Sequence, residues 1–292
     1  MHTHYMKDSA MKTILITGCS SGYGLQTARL FHERGWNVIA TMRTPTPGIL
    51  APAEGLLVLP LDVTRTASID QALELAGPID VLVNNAGIGL FGAFEATPLA
   101  TVREIFETNT FGTMAVTQAV LPQFRKRRSG IIINVTSTAT IAPFPLVAAY
   151  TASKTAVEGF TESLALELAE FDVRVKLIEP GYGPATRFAA NGAERMKDLI
   201  LEPYMAYAQS VFAGFSGVPL ATTEAAVAEA IWHAANDPAT TLRYPAGDDA
   251  MALARARSGG YYTDVLSASA IDSATASATL MPSTPADRMP PA

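Results

Sequence analysis

Tyr150 and Lys154 have the residue types and the spacing for acid–base chemistry. They are four residues apart in a stretch of helical periodicity that runs from 148 to 170, so they share one helix face. An ammonium group beside a phenol favours the phenolate and lowers the tyrosine pKa, as a general acid/base near neutral pH requires. Taken alone, the spacing fits an ordinary surface Tyr–Lys pair equally well or better.

The elements that must position this pair alternate between apolar runs and helical segments. The apolar runs are continuous, which is typical of strands covered on both faces in a parallel sheet. We therefore predict an α/β fold, a single Rossmann-type doubly wound parallel sheet over residues 12–250. The predicted strands are 12–17, 36–41, 56–61, 79–83, 131–135, 173–178 and 242–245, and the longest predicted helices are 99–127 and 148–170.

Glycines and serines follow the first predicted strand and precede a helix. Glycines let the backbone approach a pyrophosphate, and the helix that follows directs its N–H groups at the phosphates. The candidate cofactor-binding residues here are Gly18, Ser20, Ser21, Gly22, Tyr23 and Gly24. A plain turn is the alternative for a glycine loop without this context.

The second and third predicted strands are followed by Met42-Arg43 and Asp62-Val63. An acid after the second strand would hold a ribose 2′-hydroxyl, whereas Arg43 is placed to meet the 2′-phosphate of NADP. Asp62 could accept a hydrogen bond from the adenine amino group, with Val63 beside it. A solvated arginine and an Asx turn or helix N-cap remain the alternatives.

Small or polar residues also follow the next three strands. Asn85, Ala86 and Gly87 would let the backbone pass close to a ribose, and the hydroxyl of Ser137 could donate to a substrate oxygen. Pro180-Gly181 could form a wall beside a nicotinamide. Each of these residues has a turn or a cap as its alternative. Independent turns and caps would not, however, be expected to place suitable groups after every one of six successive strands.

The combined motifs resemble the short-chain dehydrogenase/reductase family. The residues that carry the resemblance are Thr17-Gly18-xxx-Gly22-x-Gly24, Asp62, Asn84-Asn85-Ala86-Gly87, Asn109, Ser137, Tyr150-xxx-Lys154 and Pro180-Gly181, within residues 12–247. The contexts Glu179-Pro180-Gly181 and Arg243-Tyr244-Pro245 resemble the branch of hydroxysteroid and retinol dehydrogenases.

The resemblance implies catalytic roles at the matching positions. Tyr150 would exchange a proton with the substrate oxygen, and Ser137 would bind that oxygen. Lys154 would bind the nicotinamide ribose and lower the Tyr150 pKa, and Asn109 would help to hold a water for proton relay. One departure is that Ala185 stands where the family usually has a threonine, with Thr186 following.

Composition limits the other functions. The net charge of −6 argues against nucleic-acid binding, which needs a basic face. The single Cys19 allows no intrachain disulfide, and the four histidines have no metal-ligand spacing, so we predict no metal site. No apolar run reaches the roughly 18 residues of a membrane span, which favours a cytoplasmic protein.

Three segments are predicted to lie outside the regular strand–helix alternation. Residues 1–11 are expected to be a flexible extension, and 267–292, rich in Ser, Ala, Thr and Pro, a disordered tail. Residues 182–220 interrupt the strand–helix rhythm with glycines and aromatics, which predicts a lid or binding insertion.

The expected function is therefore hydride transfer between NADP(H), preferred over NAD(H), and a small carbonyl or alcohol. The resemblance further implies a homodimer or homotetramer. A sensor that binds NADP without turnover is the main alternative, but sensors of that kind often lose the catalytic tyrosine or lysine. Epimerases and dehydratases on this fold are a further alternative. They usually have a differently spaced glycine loop and a larger substrate domain, and this sequence shows neither feature.

Overall fold

The computed structural model describes residues 11–184, 186–216 and 222–257. A seven-stranded sheet lies at its centre, with all neighbouring strands parallel and the order β3-β2-β1-β4-β5-β6-β7. The strands are β1 (Thr13–Ile16), β2 (Asn37–Met42), β3 (Leu56–Pro60), β4 (Val81–Asn84), β5 (Gly130–Val135), β6 (Val173–Pro180) and β7 (Arg243–Ala246). The predicted Rossmann-type architecture is confirmed.

Helices cover both faces of this sheet. They are α1 (Gly22–Glu33), α2 (Thr66–Ala76), α3 (Leu99–Phe106), α4 (Gly112–Arg127), α5 (Ala148–Ala169), α6 (Phe188–Met196), α7 (Met205–Ser216), α8 (Glu224–Asn236) and α9 (Asp248–Arg257). Successive residues of β1 point to opposite faces, as a pleated strand requires. Ile14 and Ile16 therefore pack in the core that α1 and α8 cover, and Leu15 packs in the core that α2, α4 and α5 cover.

The first helix ends where the glycine pattern predicts. Arg34 follows its last residue, and Gly35 takes a φ of +78°, a conformation that glycine adopts without strain. The amide of Gly35 donates to the His32 carbonyl at 3.0 Å. The chain then turns directly into β2, which fixes the first βαβ unit.

Three details differ from the sequence-based expectations. The predicted helix 99–127 is divided into α3, a π-helical turn (Glu107–Phe111) and α4. The predicted insertion 182–220 carries two helices, α6 and α7, with Ala185 and 217–221 outside the described residues. The predicted domain end at 250 falls inside α9, which continues to Arg257.

The remaining expectations concern the chain ends and the membrane. Residues 1–10 and the predicted tail 267–292 lie outside the described residues. Within the part of the chain that the structure describes, no helix is both long and apolar enough to cross a membrane.

Candidate functional site

A cavity of about 500 Å³ opens at the carboxyl edge of the sheet, the edge where such sheets bind their ligands. Its volume lies within the usual range of ligand pockets. The predicted residues that line it are Gly18, Ser20, Ser21, Gly22, Tyr23, Arg43, Asp62, Val63, Asn85, Ala86, Gly87, Tyr150 and Lys154. The fold thus brings most of the predicted site together around one space.

The glycine loop is bound directly to the segment after β4. The Thr17 hydroxyl accepts hydrogen bonds from the amides of Asn85 and Ala86, both at 3.0 Å. The Asn85 side chain donates back to the carbonyls of Thr17 and Gly18, at 2.9 and 3.2 Å. Gly18 has a φ of +77°, and a Cβ there would lie 2.8 Å from the Ala86 Cα. Glycine is therefore required at this position.

Gly24 packs against the loop. A Cβ at this position would lie 2.4 Å from the side-chain amide nitrogen of Asn85 and 2.5 Å from the Gly18 carbonyl oxygen. Gly24 is not among the residues that line the cavity. Its small size lets the first turn of α1 pack closely against the glycine loop and Asn85.

The start of α1 offers an anion cradle. Ser20, Ser21 and Gly22 line the cavity, and the helix begins at Gly22 with no acidic residue in its first turn. Gly22 has a φ of +59°, and a Cβ there would lie 3.8 Å from the Thr186 Cβ, in ordinary van der Waals contact. Unpaired N–H groups and the helix dipole favour negative charge at such a terminus. The residues therefore fit a dinucleotide pyrophosphate.

Arg43 and Asp62 line the end of the cavity beside β2 and β3, whereas Lys154 binds the Val135 carbonyl of β5, on the other side of β1 and β4. Asp62 Oδ1 accepts hydrogen bonds from the Thr64 amide at 3.0 Å and the Thr64 hydroxyl at 2.8 Å, so the Asx-turn alternative is present. Asp62 also lines the cavity, and both roles are compatible because a carboxylate has four acceptor positions. Arg43 is exposed, and its positive charge helps to lower the pKa of Glu104.

The charge around this end also includes residues that sequence reasoning missed. Arg195 on α6 donates to Glu104 on α3 at 2.7 Å, and this hydrogen bond is the main cause of the lowered Glu104 pKa. Both residues line the cavity, together with Arg187 and Asn191. The partners are separated by 91 positions in sequence, so no local pattern could have revealed the pair.

Tyr150 lines the cavity and is half-buried, and its pKa differs from the sequence-based expectation. Burial raises the pKa of Tyr150 to about 12, while a hydrogen bond with the Ser137 side chain acts in the opposite direction. The expected lowering by Lys154 is therefore not what the structure shows. The reason is that desolvation of the phenolate outweighs the favourable contacts.

Lys154 is buried and held by the sheet. Its ammonium group donates to the Val135 carbonyl at 2.9 Å, and burial lowers its pKa to about 8. A Cβ on Gly87 would lie 3.3 Å from Lys154 Nζ, which shows how closely the segment after β4 approaches this group. An ammonium carries three donors, so Lys154 can bind further acceptors at the same time.

Ser137 and Asn109, the other two predicted catalytic residues, do not line the cavity. The Ser137 hydroxyl accepts from the Ala139 amide at 3.2 Å, so the predicted alternative of a turn cap is also present. Asn109 is fully buried in the π-helical turn, where its side chain bonds both backbone groups of Ile88 and the Ser153 hydroxyl. These bonds join the turn to α5.

Pro180 and Gly181 also lie away from the cavity lining. A Cβ on Gly181 would lie 2.1 Å from a carboxylate oxygen of Asp249, so this glycine makes room for the start of α9. Thr186 does line the cavity, and its hydroxyl donates to the Gly183 carbonyl at 2.8 Å. The position of the usual threonine, Ala185, is outside the described residues.

Comparison with known proteins places this geometry in a family. The profile of the short chain dehydrogenase family matches residues 12–196. Over 184 residues the chain is 43% identical to retinol dehydrogenase 8 of Bos taurus, covering 59% of each protein. It is 44% identical over 175 residues to 3-ketodihydrosphingosine reductase of Bacteroides thetaiotaomicron (58% of this chain, 62% of the relative).

A third relative supports the predicted branch. The chain is 41% identical over 184 residues to 17-beta-hydroxysteroid dehydrogenase type 1 of Mus musculus, covering 58% of this chain and 53% of the relative. The resemblance to the hydroxysteroid and retinol dehydrogenase branch is confirmed. The chain thus spans less than two thirds of the length of these curated relatives.

Solved structures share the fold over most of the chain. A short-chain dehydrogenase from Streptomyces avermitilis has a TM-score of 0.72 and 33% identity, covering 92% of this chain and 95% of that structure. Serine dehydrogenase complexed with NADP+ has a TM-score of 0.67 at 29% identity (79% and 93% covered). The 3-ketoacyl-(acyl-carrier-protein) reductase of Brucella melitensis, complexed with NADH, has a TM-score of 0.64 at 27% identity (80% and 96% covered).

Proposed function

The chain belongs to the short-chain dehydrogenase family, and we propose that it is an NADP(H)-dependent oxidoreductase with Tyr150 as general acid/base. Its substrate would be a secondary alcohol or the matching ketone, or an aldehyde. The observation that carries the proposal is the shared cavity. Arg43 and Asp62 beside β2 and β3, the glycine loop after β1, and Tyr150 with Lys154 line one continuous space.

The cradle at the start of α1 supports a dinucleotide as the cofactor. Gly22 lines the cavity, Gly18 has the positive φ that the turn of the loop requires, and the first turn of α1 carries no acidic side chain. Serine dehydrogenase and the Brucella reductase, which have this fold, are complexed with NADP+ and NADH. When bound, the nicotinamide supplies or accepts the hydride.

The proton is the part of the reaction that the protein's own residues handle. Because its pKa is raised to about 12, Tyr150 holds at neutral pH the proton that a carbonyl oxygen would take. It is a weaker acid than a group whose pKa lies near the operating pH, which is the optimum for general acid catalysis. Ser137 binds the same phenol and would bind the substrate oxygen beside it. Lys154 places a positive charge near this point and has donors for ribose hydroxyls.

The preference for NADP(H) rests on Arg43. The second strand is followed by Met42-Arg43 with no acid, and Arg43 lines the end of the cavity beside Asp62. A guanidinium binds a phosphate through two hydrogen bonds and is the residue type best suited to a 2′-phosphate. Glu104 lies near Arg43, and its negative charge would repel a phosphate. Arg195 binds the Glu104 carboxylate, however, and its positive charge offsets part of that repulsion.

The first test is oxidation of NADPH by the purified protein with a panel of ketones and aldehydes, with NADH in parallel. The names of the relatives suggest that the panel include an apolar aldehyde and a long-chain ketone. We expect turnover with NADPH that exceeds turnover with NADH, and loss of turnover in Tyr150→Phe. A Tyr150→Phe protein with normal turnover would disprove the assigned role.

A sensor that binds NADP without turnover is the second candidate function. It predicts tight NADPH binding, for example by quenching of tryptophan fluorescence, with no oxidation on any carbonyl of the panel. The presence of both Tyr150 and Lys154 in the lining of the cavity favours the enzyme.

A further inference from the structure

Glu158 lies at the centre of a buried polar network behind the catalytic pair. It is on α5, one turn beyond Lys154 and two turns beyond Tyr150. Its Oε1 accepts a hydrogen bond from the Thr136 hydroxyl at 3.3 Å and a closer one from the Thr140 hydroxyl. These two threonines flank Ser137 in the segment after β5.

Arg243 on β7 completes this network from the other side. Its guanidinium donates to Glu158 Oε2 at 3.1 Å, to Glu179 at 2.5 Å and to Glu162 at 2.6 Å. The side chains of Glu158 and Glu179 are only 8% and 2% exposed, so their charges need this partner. The network therefore fixes Glu158 from the side opposite to the threonines.

We propose that Glu158 is a positioning residue that holds the segment Thr136–Thr140 so that the Ser137 hydroxyl contacts Tyr150. The proposal rests on the proposed function, because Ser137 and Tyr150 are the groups that it would align. Glu158 itself touches neither substrate nor cofactor in this assignment. It acts through the two threonines that flank Ser137.

The geometry explains why one residue can align these groups. The position of Tyr150 is set by α5, whereas Ser137 belongs to a short irregular segment with one turn of 3₁₀-helix (Thr138–Thr140). The Thr140 oxygen also lies 2.6 Å from the Ser137 carbonyl oxygen, and a hydroxyl has one proton to share between the two acceptors. Glu158 thus joins this segment to the helix that carries Tyr150.

A double-mutant cycle between Glu158 and Ser137 tests the proposal. A displacement of about 1 Å at a reacting group lowers turnover about 100-fold, so we expect a loss of that order in kcat for Glu158→Ala. The KM for NADPH should stay unchanged. In a Ser137→Ala background the same substitution should cost less than about threefold, because the group that Glu158 aligns is already absent.

Three further variants separate positioning from general destabilisation. Glu158→Gln keeps an acceptor oxygen and should retain kcat within about threefold. Thr140→Val deletes the hydroxyl that Glu158 binds at nearly constant shape and should lower kcat in the same direction as Glu158→Ala. Glu162→Gln alters the exposed partner of Arg243 and should leave kcat unchanged. Equal losses from Glu158→Ala with and without Ser137 would overturn the proposal.

A crystal structure of a variant tests the proposal without an activity measurement. The variant is Glu158→Ala, or Thr140→Val if Glu158→Ala does not fold. We expect the Ser137 hydroxyl to lie beyond hydrogen-bond distance of the Tyr150 oxygen. If the bond is unchanged, the positioning role is wrong, whatever the substrate. If the bond is lost but the wild-type protein reduces no carbonyl, the positioning role stands and the proposed function fails.

Discussion

Replacing Arg243 by methionine should destabilise the folded protein in a pH-dependent way. The guanidinium contacts three carboxylates, and two of them, Glu158 and Glu179, are almost fully buried. Methionine keeps the apolar stem but removes the positive charge. Two buried carboxylates are then left without a counter-ion. A buried charge without a partner is what makes the removal of one member of a buried ion pair strongly destabilising.

The size of the loss follows from the distances. At an effective dielectric constant of about 20, each charge contact near 3 Å is worth about 5 kcal/mol before desolvation is subtracted. Removing one partner of a buried pair costs about 3–5 kcal/mol. Because the Arg243 side chain is 37% exposed, water reaches the site, so we expect a loss near 3 kcal/mol in the free energy of unfolding at pH 8.

The loss should shrink at lower pH. Burial already raises the pKa of Glu179 in the wild-type protein, and removing Arg243 raises it further. A carboxyl group with a raised pKa in the folded state destabilises that state fully above the folded pKa. The penalty disappears as the pH falls below the unfolded value of about 4.3. Urea unfolding at pH 8 and pH 5 should therefore show the smaller loss at pH 5.

The matched control is Arg128→Met, which removes a salt bridge to Asp172 between side chains that are 57% and 64% exposed. Exposed pairs contribute about 0–1 kcal/mol, so this variant should stay close to the wild-type protein at both pH values. If Arg243→Met lost no more than Arg128→Met, or lost the same amount at pH 5 and pH 8, the argument from buried charge would be wrong.

Three further predictions concern the cavity. Ketone reduction should vary little from pH 5 to pH 7, because over this range Tyr150, with a pKa of about 12, keeps its proton and Lys154, with a pKa of about 8, keeps its charge. Alcohol oxidation should rise with pH as the phenolate forms. Initial rates in both directions test this, and an oxidation rate that falls with pH would contradict it. Arg43→Ala should weaken NADPH binding about tenfold, since it removes a charged hydrogen bond to the 2′-phosphate, and should leave NADH binding unchanged. Fluorescence titrations with both cofactors test this, and equal effects on the two would contradict the 2′-phosphate assignment. Gly18→Ala should lower the free energy of unfolding by about 1–2 kcal/mol, because the residue has a φ of +77° and the added Cβ would lie too close to Ala86. An unchanged melting temperature would contradict the argument that this backbone conformation requires glycine.

The inner strands β1, β2, β4, β5 and β6 could be predicted from the sequence because they are buried on both faces. Ile132 and Ile133 of β5 pack in opposite cores, so an unbroken apolar run was required there. The helix α9 was missed because Ala250 is its one buried residue among those described, which leaves no apolar periodicity to detect. The helix α7 was missed for a related reason. Exposed apolar residues such as Met205 and Phe212 obscure the pattern that marks a core-facing helix.

The candidate site was predictable where its residues follow strands, since the fold brings all strand ends to one edge. The partners of those residues were not predictable. Glu158 and Arg243 are 85 positions apart, and nothing in the local sequence of either indicates the other. The direction of the Tyr150 pKa was also beyond the sequence, because four-residue spacing shows that Lys154 is near but does not show how deeply the phenol is buried.

The helix α5 shows what the polar network is for. Its sheet-facing side buries Ser153, Lys154, Glu158 and Thr161, four polar residues where apolar side chains would pack without a desolvation cost. Each is held by a specific partner: Asn109 for Ser153, the Val135 carbonyl for Lys154, Arg243 for Glu158 and Asn134 for Thr161. Well-packed apolar residues in such positions often equal or exceed the stability of buried charges. Stability alone therefore does not account for this polar face, whereas alignment of Tyr150 and Lys154 with the segments after β4 and β5 does.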